Sequence, residues 1–423
     1  MLKISTLEEF NKKRKRKRDA SLCLAVQKII DAVICRGDEA LREFSLEYDN
    51  VALDTFRMPL SEIRESHSLS PELKQALEKS AGRLEAFARF QLSEFLPFSF
   101  REKETAQGVF AGEHILPVRR AGIYVPGGHF PLFSSLLMGV VPARVAGVEE
   151  IAVFTPPGSD GKPHPIILST AALLGIDEVY ALGGAHAIAA MAYGTESVAK
   201  VDMIAGPGNA WVTEAKRQVF GDVGIDLVAG PSEILVVADD TCDASLVAAD
   251  LFAQAEHDTQ AVPLLTVYDE KVRKKVIKEI IALLETFPET ETARLSFEEN
   301  SICFLAESAE EASRIANVLA PEHLQLHVKD PSLYKGILKN YGSLFAGKGA
   351  AEVLGDYVSG LNHTLPTGGT ARFLNGLNVW TFLKRQTTLR TEKSCDASLY
   401  QEARIMAEAE GLVGHGHSAI KRK

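Results

Sequence analysis

The sequence predicts an α/β protein with two parallel-sheet units and small helical segments at either end, on three observations. From about residue 109 to residue 209, short apolar strands alternate with helices of about ten residues. A second alternation of the same kind runs from Pro263 to Gly347. Outside these stretches, from Leu22 to Leu92 and again near the C-terminus, the apolar spacing is mostly that of helices.

A chain of 423 residues has room for two or three domains with real cores. Its 46% apolar and 24% charged residues are globular proportions. A formal net charge of −10 argues against nucleic acid or an anionic membrane as a partner. Cys23, Cys35, Cys242, Cys303 and Cys395 are odd in number, scattered and without a CxxC, which fits reduced thiols better than a disulfide framework. No apolar run reaches the length of a membrane span and MLKISTLEEF has no signal-peptide core, so the expected location is cytoplasmic.

In chain order, Ser5 and Glu8 stand at capping-box spacing before the basic run Lys12 to Arg18. That run reads as a solvated helix face, since the rest of the chain is acidic and no aromatics are interleaved. Gly37 and the Ser70-Pro71 pair break the helical pattern that follows. GIYVPGG (122–128) is a buried strand ending in a Pro-Gly turn, and an apolar helix follows at 134–146. Then come EIAVFTPPG (150–158), a helix at 166–174, EVYALGGA (178–185), a helix at 187–193 and VDMIAGPGN (201–209). Loops after such strands share one end of the sheet, where ligands of open α/β folds bind. Glycine and proline collect there in VPGG, GGA and GPGN, and later in AGPSE at 229–233. With no GxGxxG and no Walker sequence, tight packing turns and a nucleotide or other phosphate-bearing ligand both remain open.

Asp243 can cap an amphipathic helix carrying Leu246, Val247 and Leu251. Near its end Gln254 and His257 stand three apart on one face, either half of an N/O metal site or an ordinary solvated helix end. The second alternation follows as PLLTVYD (263–269), a charged helix at 270–285, SICFLAE (301–307), a helix at 309–319, HLQLHV (323–328) and SLFAG (343–347). Leu399, Ala403 and Met406 mark one face of a last helix that Gly411 ends; so short a tail is expected to dock on another surface.

Three further stretches carry chemistry. Adjacent Glu322 and His323 at a strand edge suit general acid/base work. Asp356 and His363 lie in a long Gly- and Pro-rich segment, and Glu410 precedes His415 near the C-terminus. Singly, each has a structural account as a surface pair, a turn residue or a solvated tail. Together, Gln254, His257, Asp356 and His415 make a mixed N/O set suited to Zn²⁺, with Glu322 and His323 left as acid and base.

QAEHD at 254–258, APEHL at 320–324, GDYVSGLNHTLPTGGTARF at 355–373, the stretch from Gly206 through AGPSE, and AEAEGLVGH at 407–415 resemble histidinol dehydrogenase, in order and over essentially the whole chain. The resemblance implies a zinc enzyme that oxidises L-histidinol to L-histidine through L-histidinal with two NAD⁺, the last steps of histidine biosynthesis. It implies an intertwined homodimer of Rossmann-like halves. Residues 23–123 with 232–377 would form a zinc-binding catalytic domain, 124–231 an NAD-binding domain, 1–22 a helical arm and 378–423 a tail docking on the other subunit. Gln254, His257 and Asp356 would hold one zinc per subunit, completed by His415 of the partner subunit. Glu322 and His323 would be the catalytic pair, Ser232, Glu410 and His363 would join the zinc set and His323 around substrate, and Tyr124, His186 and Asn209 would touch NAD⁺. One departure is GGAHA, where the family typically reads GGAQA: His186 stands in place of a Gln. A paralogous zinc- and NAD-dependent dehydrogenase for another polar alcohol, a zinc hydrolase and a non-catalytic sensor are the alternatives. Retention of Ser232, Glu410 and His415 together favours histidinol.

Overall fold

The structure, a computed structural model, describes residues 1–13, 19–93, 100–127 and 131–422. Arg14 to Arg18 of the basic run, and the Gly128 end of the first glycine loop, lie outside the described residues. Contacts divide the chain into two compact units, Met1–Gln91 with Val118–Phe382 and Leu92–Pro117 with Leu383–Lys423.

The first unit holds two parallel sheets. One has five strands in the order Val179–Ala181, Glu150–Thr155, Arg120–Tyr124, Met203–Ala205, Gly224–Ile225. Its middle strand, Arg120–Tyr124, is buried along its whole length, as expected of a parallel sheet covered on both faces. Helices Ala20–Arg36, Asp38–Tyr48, Gly184–Tyr193 and Ala210–Val219 share one core with it, through residues such as Ile30, Leu41, Phe154, Ile188 and Val212.

The other sheet has six strands in the order Lys3–Ile4, Ile302–Leu305, Val262–Val267, Glu233–Ala238, His323–His327, Ser343–Ala346. Ile234, Val236 and Ala238 join the core beneath helices Ala244–Ala255 and Glu270–Thr286, whereas Leu235 and Val237 join the opposite core with helix Ala309–Leu319. This is the two-residue alternation of a strand sandwiched between helix layers. Leu324 and Leu326 belong to the second core, so His323, Gln325 and His327 face the first. The central strand Glu233–Ala238 follows directly from the AGPSE turn and was not among the sequence-predicted strands. The expected helical opening begins instead with the two-residue strand Lys3–Ile4, held by Leu2 N donating to Ser301 Oγ at 2.6 Å.

The second unit contains an antiparallel sheet, Leu383–Thr391 beside Val109–Pro117 beside Arg101–Ala106, and helices Ser398–Ala409 and Val413–Ile420. Strand Leu383–Thr391 exposes every residue after its first and therefore shows no apolar period; its backbone ladder with Val109–Pro117 makes it a strand. Among the described residues, no helix is long and apolar enough to cross a membrane.

Candidate active site

Gln254 lies in the last turn of helix Ala244–Ala255 and is buried. Asp243 caps that helix as its sequence position suggests, accepting from Ser245 N at 3.0 Å. His257 lies beyond the helix end and is exposed. Helix Ala309–Leu319, capped by Ser308, stops at Ala320, whose φ of 45° is left-handed. Pro321 cannot continue the helix, and the chain reverses straight into strand His323–His327. Glu322 and His323 thus stand at the amino end of that strand, beside Glu233 at the amino end of the neighbouring strand. The next strand enters through Gly342, where an added Cβ would lie 2.5 Å from the Glu322 carbonyl oxygen, a contact only glycine avoids. Glu352 and Asp356 are four apart on the short helix Glu352–Tyr357 and both are buried.

These elements converge on His323. Its Nδ1 is 3.0 Å from Gln254 Oε1 and 4.0 Å from Glu322 Oε2, while its Nε2 is 3.6 Å from Glu352 Oε1 and 3.8 Å from Asp356 Oδ1. Glu322 Oε2 accepts from Glu233 N at 3.0 Å, and Glu233 Oε1 accepts from Gly368 N at 2.9 Å, tying the 229–233 turn to the glycine segment after Thr367. Ser232, half-buried, precedes this contact. His363 donates from Nδ1 to the Asp356 carbonyl at 3.0 Å and accepts at Nε2 from Ser135 Oγ at 3.3 Å. Ser135 belongs to helix Phe133–Ala146, which follows strand Arg120–Tyr124, so this bond joins the amino-end cluster of the six-stranded sheet to the carboxyl side of the five-stranded one.

Burial governs the protonation of this cluster. It pushes the Glu322 carboxyl well above its ordinary range, against the bond from Glu233 N and with the charges of Glu233, Asp356 and Glu352 adding to it. Burial, then Asp356, raises Glu352 to about 9, while burial lowers the His323 imidazole to about 4 against the attraction of Asp356. Enclosure likewise lowers His363. Several carboxylates crowd one buried imidazole, an arrangement that calls for a cation or for extra protons. Among the described residues His323 Nε2 and Glu352 Oε1 have no hydrogen-bond partner, and donor atoms of His323, Glu352 and Asp356 all lie within 4.8 Å of one another. With the Gln254 oxygen beside them they make an N/O set of the kind zinc accepts.

The structure therefore brings Gln254, Glu322, His323 and Asp356 together, with His363 against Asp356. Sequence reasoning missed Glu352, although its helical spacing to Asp356 was a usable signal, and missed Glu233 behind Glu322. Glu410 caps the C-terminus of helix Ser398–Ala409 and His415 lies on helix Val413–Ile420, both exposed and both in the second unit.

The residues expected at NAD⁺ sit at carboxyl ends in the five-stranded sheet. Tyr124 ends the middle strand and its buried hydroxyl accepts from Gly184 N at 3.1 Å; burial pushes the phenol to about 12. Asn209 is exposed and caps helix Ala210–Val219, accepting from Trp211 N at 3.0 Å and Val212 N at 3.1 Å. His186 is buried in the first turn of helix Gly184–Tyr193, and among the described residues neither ring nitrogen has a hydrogen-bond partner. Its Nε2 is 3.9 Å from Asp49 Oδ2, which likewise has no hydrogen-bond partner among the described residues. Burial lowers His186 to about 4 and raises Asp49 to about 6.

The family model of histidinol dehydrogenase matches residues 12–423. A histidinol dehydrogenase of Gluconobacter oxydans is 41% identical over 407 residues, covering 96% of this chain and 93% of the relative. One from Methanosarcina mazei is 41% identical over 398 residues, covering 94% and 91%. The crystal structure of histidinol dehydrogenase from Elizabethkingia anophelis superposes with a TM-score of 0.91 at 35% identity, covering 99% of this chain and 96% of that one. With sequence and backbone agreeing from end to end, the chain belongs to the histidinol dehydrogenase family and is an oxidoreductase.

Proposed function

We propose that the protein carries out the four-electron oxidation of L-histidinol to L-histidine through L-histidinal, using zinc and two NAD⁺, in the cytoplasm. The observation that carries this reading is the buried His323, held by Gln254 on one side and facing Glu352 and Asp356 on the other, with Glu322 against it. Gln254, His257 and Asp356 would hold the zinc, with His415 of the partner subunit completing the set. The Gln254 oxygen has two lone pairs, so it can accept from His323 and still face a cation. When bound, zinc supplies a fixed positive anchor for the substrate's amino and imidazole nitrogens. NAD⁺ supplies the hydride acceptor, with Tyr124, His186 and Asn209 as its contacts on the sheet 120–225.

In the first oxidation His323 takes the hydroxyl proton of the alcohol as hydride leaves the carbinol carbon. Its depressed basicity is suited to returning that proton. Glu322, adjacent and enclosed, then draws a proton from water as it adds to the aldehyde while His323 returns its proton to the aldehyde oxygen; the resulting gem-diol gives up the second hydride, and its hydroxyl protons leave through His323 and Glu322, to give the carboxylate. Ser232, His363 and the tail residue Glu410 line the substrate. The aldehyde stays in the same pocket between the steps and does not escape before water adds.

The tail supports the paired assembly. Helices Ser398–Ala409 and Val413–Ile420 bury only Ala407 and Gly416, while Ile405, Met406, Leu412 and Val413 are exposed. Such apolar surface suits docking on a second copy of the chain. The deciding measurement is the ratio of NADH formed to L-histidinol consumed: two supports the reading, and one, or turnover without NAD⁺, overturns it.

A specific observation supports a second arrangement of the metal. His323, Glu352 and Asp356 already converge without His257, so the cation would then be held on these three, leaving Glu322 alone as base. Metal content of single variants separates the two arrangements.

A further inference from the structure

Gly206 ends the strand Met203–Ala205 and begins the turn to Asn209. Its φ is +122°, and a Cβ there would lie 2.1 Å from the Tyr124 carbonyl oxygen. Both of its backbone groups are taken by the side chains of one buried ion pair. Asp226 Oδ2 accepts from Gly206 N at 2.8 Å, and Lys216 Nζ donates to Gly206 O at 2.9 Å. Lys216 and Asp226 are in direct contact, their side chains 4% and 0% exposed. Lys216 comes from the helix that Asn209 caps, and Asp226 from just after the edge strand Gly224–Ile225, so the pair clamps the turn from both sides. Asp226 Oδ1 also accepts from Leu227 N at 2.6 Å, which fixes the carboxylate's own orientation.

Placing an ammonium and a carboxylate out of water is a costly way to support a turn, since an apolar pair of similar volume would pack as well. What an apolar pair cannot do is hold one residue by its N–H and its carbonyl at once. Gly206 lies between Tyr124 and Asn209, at the carboxyl end of a parallel sheet where open α/β folds bind ligands. We propose that Lys216 and Asp226 are positioning residues for the dinucleotide: by holding Gly206 through both its N–H and its carbonyl they set the turn that presents Asn209 and keep it against Tyr124. The inference rests on the NAD⁺ reading above.

The test is direct titration of NAD⁺ into the intact protein by calorimetry, with zinc content and L-histidinol binding measured on the same samples. Lys216→Met should weaken NAD⁺ binding about tenfold or more. Zinc content and L-histidinol affinity should be unchanged, and in turnover KM for NAD⁺ should rise with kcat largely kept. Lys216→Arg should recover part of the affinity. Hydrogen exchange at the Gly206 and Asn209 amides should quicken in Lys216→Met without cofactor present. If Lys216→Met does not fold, Lys216→Met with Asp226→Asn leaves no unpaired buried charge and decides instead. A folded variant of either kind that binds NAD⁺ as tightly as the unaltered protein overturns the inference. Failure of the unaltered protein to bind NAD⁺ overturns the cofactor reading itself, and the inference with it.

Discussion

His323 Nδ1 and Gln254 Oε1 stand 3.0 Å apart in a buried contact, and since an amide oxygen only accepts, the geometry assigns the ring proton to Nδ1. Nε2 is left as the basic nitrogen, facing Glu352 and Asp356. Gln254→Ala removes the group that selects this tautomer. The expected result is a fall in kcat of about a hundredfold, the scale of a misaligned acid/base group. Steady-state NADH formation checks it, and an unchanged kcat would remove Gln254 from any orienting role.

Glu322→Gln keeps the size of the side chain and an oxygen to accept from Glu233 N, but cannot take a proton from water. Oxidation of supplied L-histidinal should slow by about a hundredfold or more, and zinc content should stay at the parent level. Equal loss of metal and of activity would mean that Glu322 holds the ion.

Elemental analysis of purified variants distinguishes the two metal arrangements. His257→Ala should release zinc and Glu352→Ala should retain it if Gln254, His257 and Asp356 are ligands; the reverse pattern selects the cluster His323, Glu352 and Asp356. In a heterodimer with one tagged His415→Ala subunit, only the site served by the altered tail should fall silent. Two active sites in that heterodimer would end the cross-subunit assignment.

His186 and Asp49 pull stability in opposite directions with pH. Burial depresses His186 from 6.5 to about 4, so the unfolded chain binds the extra proton between those values and stability falls as the pH drops through 6.5 toward 4. Asp49, raised from 3.8 to about 6, works the other way, and stability falls as the pH rises through that window. His186→Gln deletes the first effect and keeps the second. Relative to the parent, the variant should therefore gain about 2 kcal/mol more stability at pH 5 than at pH 7.5. Urea unfolding at both pH values checks this, and a difference independent of pH would show that His186 does not stay neutral.

Much of the architecture was legible because parallel strands buried on both faces are continuous apolar runs. Glu150–Thr155, Val262–Val267 and the helix Ala309–Leu319 fall where their spacing places them. The strand Leu383–Thr391 was not, since nearly every side chain on it is solvated and only its ladder defines it. Gln254, Glu322, His323 and Asp356 could be singled out because neighbouring acid, amide and imidazole groups are conspicuous in a sequence. Their convergence could not be read there: it depends on the left-handed Ala320 and on Gly342 slipping beneath Glu322, which only packing reveals. The rule that ligands sit at carboxyl ends of strands fits the positions of Tyr124 and Asn209, the residues proposed for NAD⁺, yet Glu322 and His323 gather at amino ends.

That inversion sorts charge. Helices Ala244–Ala255 and Ala309–Leu319 both finish at the His323 cluster, so the negative poles of their macrodipoles converge there and favour a metal cation or a substrate ammonium. Helices Gly184–Tyr193 and Ala210–Val219 begin beside Tyr124 and Asn209, so their positive poles face the end proposed for the dinucleotide and favour an anionic group there. The two sheets present unlike ends on either side of the Ser135–His363 contact, so backbone alone gives the His323 cluster a cation-favouring field and the Tyr124 and Asn209 end an anion-favouring one.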